Sequence, residues 1–399
     1  MRIFVVSDSP YLYTGLARVS RNVIRCLAEA GHEVIVGGWG WDQLAYPLND
    51  NSQWSYVDIQ TGNEYLAFPL PKDKEKLLLF TYEVMRQVKC DAVFTIGDYW
   101  DFDGFHLLKQ KLDYGFKWIT YYTIESEPIN EKYRSVFGYM DIVLSPSKYG
   151  KKIIEDSTGC ECLYAPYGID HNSFYPLGAE TINAERKKRG LEGKFRFINV
   201  SKNQHRKNLP AFMEALKLAH DQNKDIVGYL HTNAEKKVPM QVDLLCLQKR
   251  FGLDGILEFP DKKLSIDIGF SDAQLNIEYN CSNALVVTSV AEGFCLPLVE
   301  AQSCGLPVVA TRCSTIPELT LDHEFLVSAS KYFTALEHEV RIANVEDLAE
   351  KMVKASCFDH NKERYSDFAK GFFWDRMNSI IAKALEERGD RIRVSADSI

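Results

Sequence analysis

SVAEGFCLPLVEAQSCGLPVVAT, residues 289–311, decides how this chain folds. A buried strand, expected over Leu285–Thr288, runs into a loop that holds Glu292 and Gly293, and a helix opens at Pro297. Proline suits the first helical turn because the N–H it lacks would be unpaired there anyway. The amides of Gly293, Phe294, Cys295 and Leu296 are then free to point at an anion, helped by the helix dipole. Glu300, one turn into the helix, is placed to accept from a ribose diol, and Glu292, before the helix, to face sugar hydroxyls. Two carboxylates around a backbone phosphate cradle describe a nucleotide-sugar site.

Upstream, SKNQHRKN (residues 201–208) follows a strand expected over Phe195–Val200 and precedes a helix near 208–222. It therefore sits at the carboxyl edge of a sheet, where α/β proteins bind ligands. Lys202, Arg206 and Lys207 bring three cations to that edge. A pyrophosphate needs such partners to stabilise charge on a departing nucleotide.

The same alternation of apolar runs and amphipathic helical ones extends through the chain, which predicts parallel sheets covered on both faces. The first half reads as strands Ile3–Val6, Glu33–Gly37, Ala92–Ile96, Trp118–Tyr122 and Ile142–Leu144, with helices near 15–30, 72–88, 104–112 and 147–157. The second half adds strands Val227–His231 and Pro307–Ala310, and helices near 241–251, 272–280, 297–304 and 346–355. The 399 residues exceed one ordinary core and suit two α/β domains. A Gly- and Pro-punctuated stretch, APYGIDHNSFYP at 165–176, marks the hinge. The expected division is 1–170, 171–365, a C-terminal helix over 366–388 that folds back on the first domain, and a polar tail over 389–399 in which disorder is expected.

Composition narrows the class. Hydrophobic residues make up 46% and charged residues 26%, as in soluble globular proteins. No apolar run approaches a membrane span, and MRIFVVSDS reads as a first strand rather than a signal peptide. Ten cysteines without a small-scaffold spacing point to a reducing compartment, with the cytoplasm as the default. The net charge is −8, and residues 1–176 hold 17 Lys/Arg against 23 Asp/Glu, which opposes a nucleic-acid partner.

The run from Glu292 to Glu300, with GF and LP between and Ala301 following, resembles the E-x7-E signature of retaining GT-B glycosyltransferases of family 4, the glycosyltransferase group 1 type. YGIDHNSFYP is similar to that family's linker motif, and FFWDRMNSII to its crossing C-terminal helix. The resemblance implies two Rossmann-like domains facing a central cleft, a nucleoside diphosphate sugar held by the second, retention at the anomeric carbon, and no metal or other cofactor. UDP-sugar is the favoured donor. The family's paired basic residues resemble Lys202 and Lys207, although the first is usually Arg. Tyr13–Thr14–Gly15–Leu16 resembles its short glycine loop, which implies that Gly15 approaches the donor phosphate or the acceptor. The histidine that often contacts the donor sugar has no counterpart in YYTIESEPIN (121–130), where Glu125 takes its place as a sugar- or oxocarbenium-facing carboxylate. Catalytic roles thus fall to Glu292, Lys207, Lys202 and Glu125.

The acceptor is less defined. Arg18, Arg21 and Arg25 share one helix face, either solvated or, for Arg18 and Arg21, turned to an acceptor phosphate. Trp39, Trp41 and Tyr46 either stack on a ring or pack inside. A saccharide or lipid-linked saccharide is expected, with peripheral membrane contact allowed for, and a modified base in DNA is the minority reading. His106 and His171 read as loop histidines. Rivals from other classes are a GT-B-fold epimerase, which would convert donor without acceptor, and a silent binding subunit, which has no physical need for Glu292, Glu300 and Lys207. A metal–diphosphate role for the D-x-D at Asp101 and Asp103 is the alternative chemistry.

Overall fold

The structure, a computed structural model, describes residues 1–40, 54–236, 238, 241–261, 269–335 and 337–389. Trp41, Tyr46 and the tail 390–399 lie outside the described residues. Two units emerge. One comprises residues 1–124, 128–167 and the chain from Trp374; the other comprises 125–127 and 168–373.

The first unit is built on one sheet. Its strands are β1 (Arg2–Asp8), β2 (Glu33–Trp39), β3 (Ser55–Val57), β4 (Glu64–Leu70), β5 (Ala92–Gly97), β6 (Lys117–Tyr122), β7 (Ile142–Ser145) and β8 (Leu163–Tyr164). They lie in the order β3-β4-β2-β1-β5-β6-β7-β8, all parallel except β3, which runs antiparallel to β4. β3, β4 and β8 were not expected. β4 contains Pro69, a residue that weakens any strand pattern, and β3 and β8 are very short. The interior strands are buried along nearly their whole length, as a sheet covered on both faces requires. Trp39 belongs to this core, with its ring 5.5 Å from that of Phe102. The helix expected near 104–112 is instead a 3-10 turn, Phe105–Leu107, and one α-turn, Leu108–Lys111, because Gly104 is left-handed and Leu112 extended.

The second unit holds β9 (Phe195–Val200), β10 (Ile226–His231), β11 (Leu257–Glu258), β12 (Ala284–Val287), β13 (Val308–Thr311) and β14 (Leu326–Val327). They form a parallel sheet in the order β11-β10-β9-β12-β13-β14. A separate antiparallel hairpin, β15 (Ala329–Phe333) with β16 (Glu339–Ala343), follows. The sheet turns around at β9, which pairs with β10 on one side and β12 on the other. Such a reversal leaves a crevice at the carboxyl ends of the two strands beside it.

The helical segment expected over 366–388 is two helices. Lys362–Ala369 belongs to the second unit, and the turn at 370–373 closes with Gly371 N–H bonded to Phe368. The later helix, Trp374–Gly389, belongs to the first unit. Met377, Ile381, Ala384 and Leu385 recur at helical spacing and are all buried there. The Cys26 thiol of helix Gly15–Glu29 lies 3.5 Å from the Asn378 carbonyl. Among the described residues no helix is long and apolar enough to cross a membrane.

Candidate active site

The carboxyl ends of β9 and β12 meet at the reversal, so both loops read from the sequence emerge side by side. After β9 the chain passes Lys202, which is exposed, and makes a 3-10 turn over His205–Lys207. Asn208 then takes a left-handed backbone (φ 46°), a conformation asparagine tolerates better than most residues, and helix Leu209–Gln222 begins with Pro210 in its first turn. The β12 loop is sewn to this turn through the main chain. Val290 N–H donates to the Arg206 carbonyl at 2.8 Å, and the Thr288 hydroxyl donates to the Lys207 carbonyl at 2.8 Å.

Glu292 is the centre of the arrangement. Its carboxylate is buried and takes the Lys207 ammonium on one oxygen and the Arg206 guanidinium, at 2.9 Å, on the other. The Ser289 hydroxyl adds a hydrogen bond at 2.6 Å, and the Glu292 N–H donates to Ser314 Oγ at 2.8 Å. Burial alone would raise the pKa of this carboxyl. The cations Lys207 and Arg206 outweigh burial and, with the two side-chain hydrogen bonds, hold it at about 2. Glu292 is therefore an ionised acceptor of hydrogen bonds, not an acid.

Arg206 has a second carboxylate partner, Glu125, whose Oε1 lies 3.0 Å from Nη2. Burial raises the Glu125 carboxyl above its ordinary range; Arg206 acts against this and Glu292 adds to it. Arg206, an additional cation in the sequence reading, is thus the bridge between the two proposed catalytic carboxylates.

Past Glu292 the backbone is buried through Gly293, Phe294, Cys295 and Leu296. Cys295 precedes helix Leu296–Ser303 at φ 144°, a strained value for a residue with a side chain, and offers no side-chain cap to the helix. The helix begins one residue earlier than expected, with Pro297 still in its first turn. Glu300 is buried and accepts from the Tyr279 hydroxyl at 2.9 Å. Burial, with a smaller contribution from Glu292, pushes the Cys295 thiol up to about 12 and the Cys313 thiol higher, so neither is a thiolate at neutral pH.

The other candidates lie in the first unit. Gly15 is exposed at the start of its helix, where the Thr14 side chain caps the Ala17 N–H at 3.0 Å. Arg21 donates to the carbonyls of Pro10 (2.6 Å) and Leu12 (3.1 Å), and Arg25 pairs with buried Asp58 at 2.7 Å. These two arginines brace neighbouring loops instead of forming one solvated stripe. Arg18 is half-buried and donates its backbone N–H to Thr14. Asp103 pairs with Lys132 at 2.6 Å, and burial raises the Asp101 carboxyl. Among the described residues no group of three or more His, Cys, Asp or Glu side chains could hold a metal ion. His171 ties its own unit together, with Nδ1 3.0 Å from Ser303 Oγ and Nε2 3.1 Å from the Phe372 carbonyl.

Ser289, Ser314 and Tyr279 escaped the sequence reading. Ser289, three residues before Glu292, had a local signal in its spacing; Ser314 and Tyr279 had none, because only the fold brings them close.

Residues 181–356 match the model of the family described as glycosyl transferases group 1. An uncharacterized glycosyltransferase of Methanocaldococcus jannaschii, MJ1178, is 30% identical over 110 residues, which are 27% of this chain and 28% of that protein. The match thus spans about a quarter of that relative's length. Among solved structures, sucrose-phosphate synthase from Thermosynechococcus elongatus superposes with a TM-score of 0.74 at 15% identity, over 97% of this chain and 98% of the other. Anabaena Alr3699/HepE, solved in complex with UDP-glucose, does so with a TM-score of 0.69 at 16% identity, over 97% and 100%. The fold is α/β of the GT-B type.

Proposed function

We propose, from the premise that residues 181–356 form a glycosyltransferase group 1 domain, that this chain transfers a sugar from a nucleoside diphosphate sugar to an acceptor hydroxyl. The observation that carries the reading is the buried, ionised Glu292 with Lys207 and Arg206 at the carboxyl edge of β9 and β12. Two cations at a sheet reversal suit a diphosphate, and an ionised carboxylate between them suits the hydroxyls of the attached sugar. As the anomeric C–O bond breaks, its electron pair leaves with the nucleoside diphosphate. Lys207, Arg206, Lys202 and the amides of Gly293 to Leu296 stabilise that charge. The acceptor oxygen forms the new bond and releases its proton. Glu300, oriented by Tyr279, holds the ribose, and Glu125 faces the developing positive charge on the sugar.

Retention of configuration and independence from metal and other cofactors are part of the same reading, supported by the resemblance around Glu292 and Glu300. A UDP-sugar is the first choice of donor, since the fold is shared with a protein solved with UDP-glucose. A saccharide, free or lipid-linked, is the acceptor. A cytoplasmic setting is part of the same reading, supported by ten cysteines without the spacing of a small disulfide scaffold.

Thermal stability against UDP, GDP, ADP and their sugars, with EDTA throughout, tests this. One nucleotide and its sugar should raise Tm selectively, and Glu300→Ala should abolish the rise. No shift from any of them would remove the reading. Conversion of the donor without acceptor would instead reveal an epimerase.

A further inference from the structure

Hairpin β15–β16 is joined to the candidate active site by a closed circuit of hydrogen bonds. Glu339 N–H donates to the Glu127 carbonyl at 2.7 Å, and Arg341 N–H to the Val290 carbonyl at 2.9 Å. Val290 N–H in turn meets the Arg206 carbonyl, and the Arg206 side chain returns to Glu125. One edge of β16 therefore fastens both segments that carry the acidic residues, 125–127 and 290–292.

The face presented by this hairpin is unusual for solvent. Residues directly opposite in an antiparallel pair share a face, so Lys331, Phe333, Glu339 and Arg341 stand together. Phe333 is 61% exposed and lies directly across from Glu339. Around it, Glu339 holds Lys331 at 2.9 Å and Arg341 at 2.6 Å. An aromatic face ringed by fixed hydrogen-bonding groups suits a pyranose, which offers an apolar C–H face and a rim of hydroxyls. Strand spacing of about 4.8 Å puts the Phe333 backbone roughly two strands from that of Glu127, beside the site and not within it.

We propose that Phe333, with Lys331, Glu339 and Arg341, forms a distal acceptor subsite that binds a second sugar ring, so that the acceptor is a disaccharide or longer saccharide. This rests on the glycosyltransferase reading. Tyr332 is an internal control. It is also an exposed aromatic, at 54%, but its side chain is on the opposite face of the hairpin.

The experiment places 4-fluorophenylalanine at position 333 and follows its 19F resonance while maltose, cellobiose, lactose or chitobiose is added in the presence of UDP. At least one disaccharide should shift the resonance, where its monosaccharide does not. By calorimetry in the presence of UDP, Phe333→Ala should weaken that disaccharide about tenfold, and Tyr332→Ala should leave it unchanged. If UDP raises Tm normally but no disaccharide moves the signal, the subsite is wrong and the donor reading stands. If UDP itself fails to bind, both fall. Equal effects of Phe333→Ala and Tyr332→Ala, with a change in oligomeric state, would show a self-association patch and overturn the proposal.

Discussion

Arg206 Nη2 lies 3.0 Å from Glu125 Oε1, while the same guanidinium reaches Glu292 with Nη1 at 2.9 Å. A planar fork can serve two carboxylates at once in a way that a single ammonium cannot. Arg206→Lys should therefore behave almost as poorly as Arg206→Ala. Both should lower kcat about a hundredfold, the usual loss for one group that stabilises leaving charge, and a rescue by lysine would show that only net charge matters at this position.

Lys207 shields a carboxylate that has almost no access to water. Removing one member of a buried pair strands the other, at a cost of about 3 kcal/mol. Lys207→Met should lower stability by that order in urea unfolding, and Glu292→Gln in the same background should restore most of it.

The depressed Glu292 value predicts acid sensitivity. Since the folded value of about 2 lies below the ordinary 4.5, its contribution is complete above pH 4.5 and drains away as the pH falls toward 2. Glu292→Gln should flatten the fall in urea midpoint across that window. Glu125 has the opposite sign: its raised value favours the fold at low pH and is lost as pH rises, so Glu125→Gln should help stability near neutrality.

Tyr279→Phe removes the hydroxyl that orients buried Glu300. A hydrogen bond to a charged group contributes about 1.5–3 kcal/mol. Calorimetry with UDP should show Kd rising about tenfold with little change in fold, and an unchanged Kd would separate Glu300 from the ribose.

Much of this site was legible because each part lies next to a strong local signal. β9 was expected over Phe195–Val200 and is found there, and helix Asp272–Asn280 begins at a capping box formed by Ser271 and Gln274. The loops with Lys207 and Glu292 follow such elements directly. What stayed hidden depends on contacts between distant segments. Nothing in NVSKNQHRKN tells Arg206 to reach Glu125, and nothing near Ser314 announces Glu292. The hairpin was missed because its strands alternate with charge instead of showing a buried apolar run.

The short stretch 125–127 groups with 168–373 although the residues on both sides of it group with the other unit. Neither half can therefore be excised by a single cut. A fragment over 168–373 keeps Arg206, Lys207, Glu292 and Glu300 but leaves Glu125 behind, and with it the Glu127 carbonyl on which Glu339 docks. Gene dissection should thus yield a piece that still recognises a nucleotide but has lost its second carboxylate, and supplying a peptide that spans 121–130 in trans is the complementation to attempt.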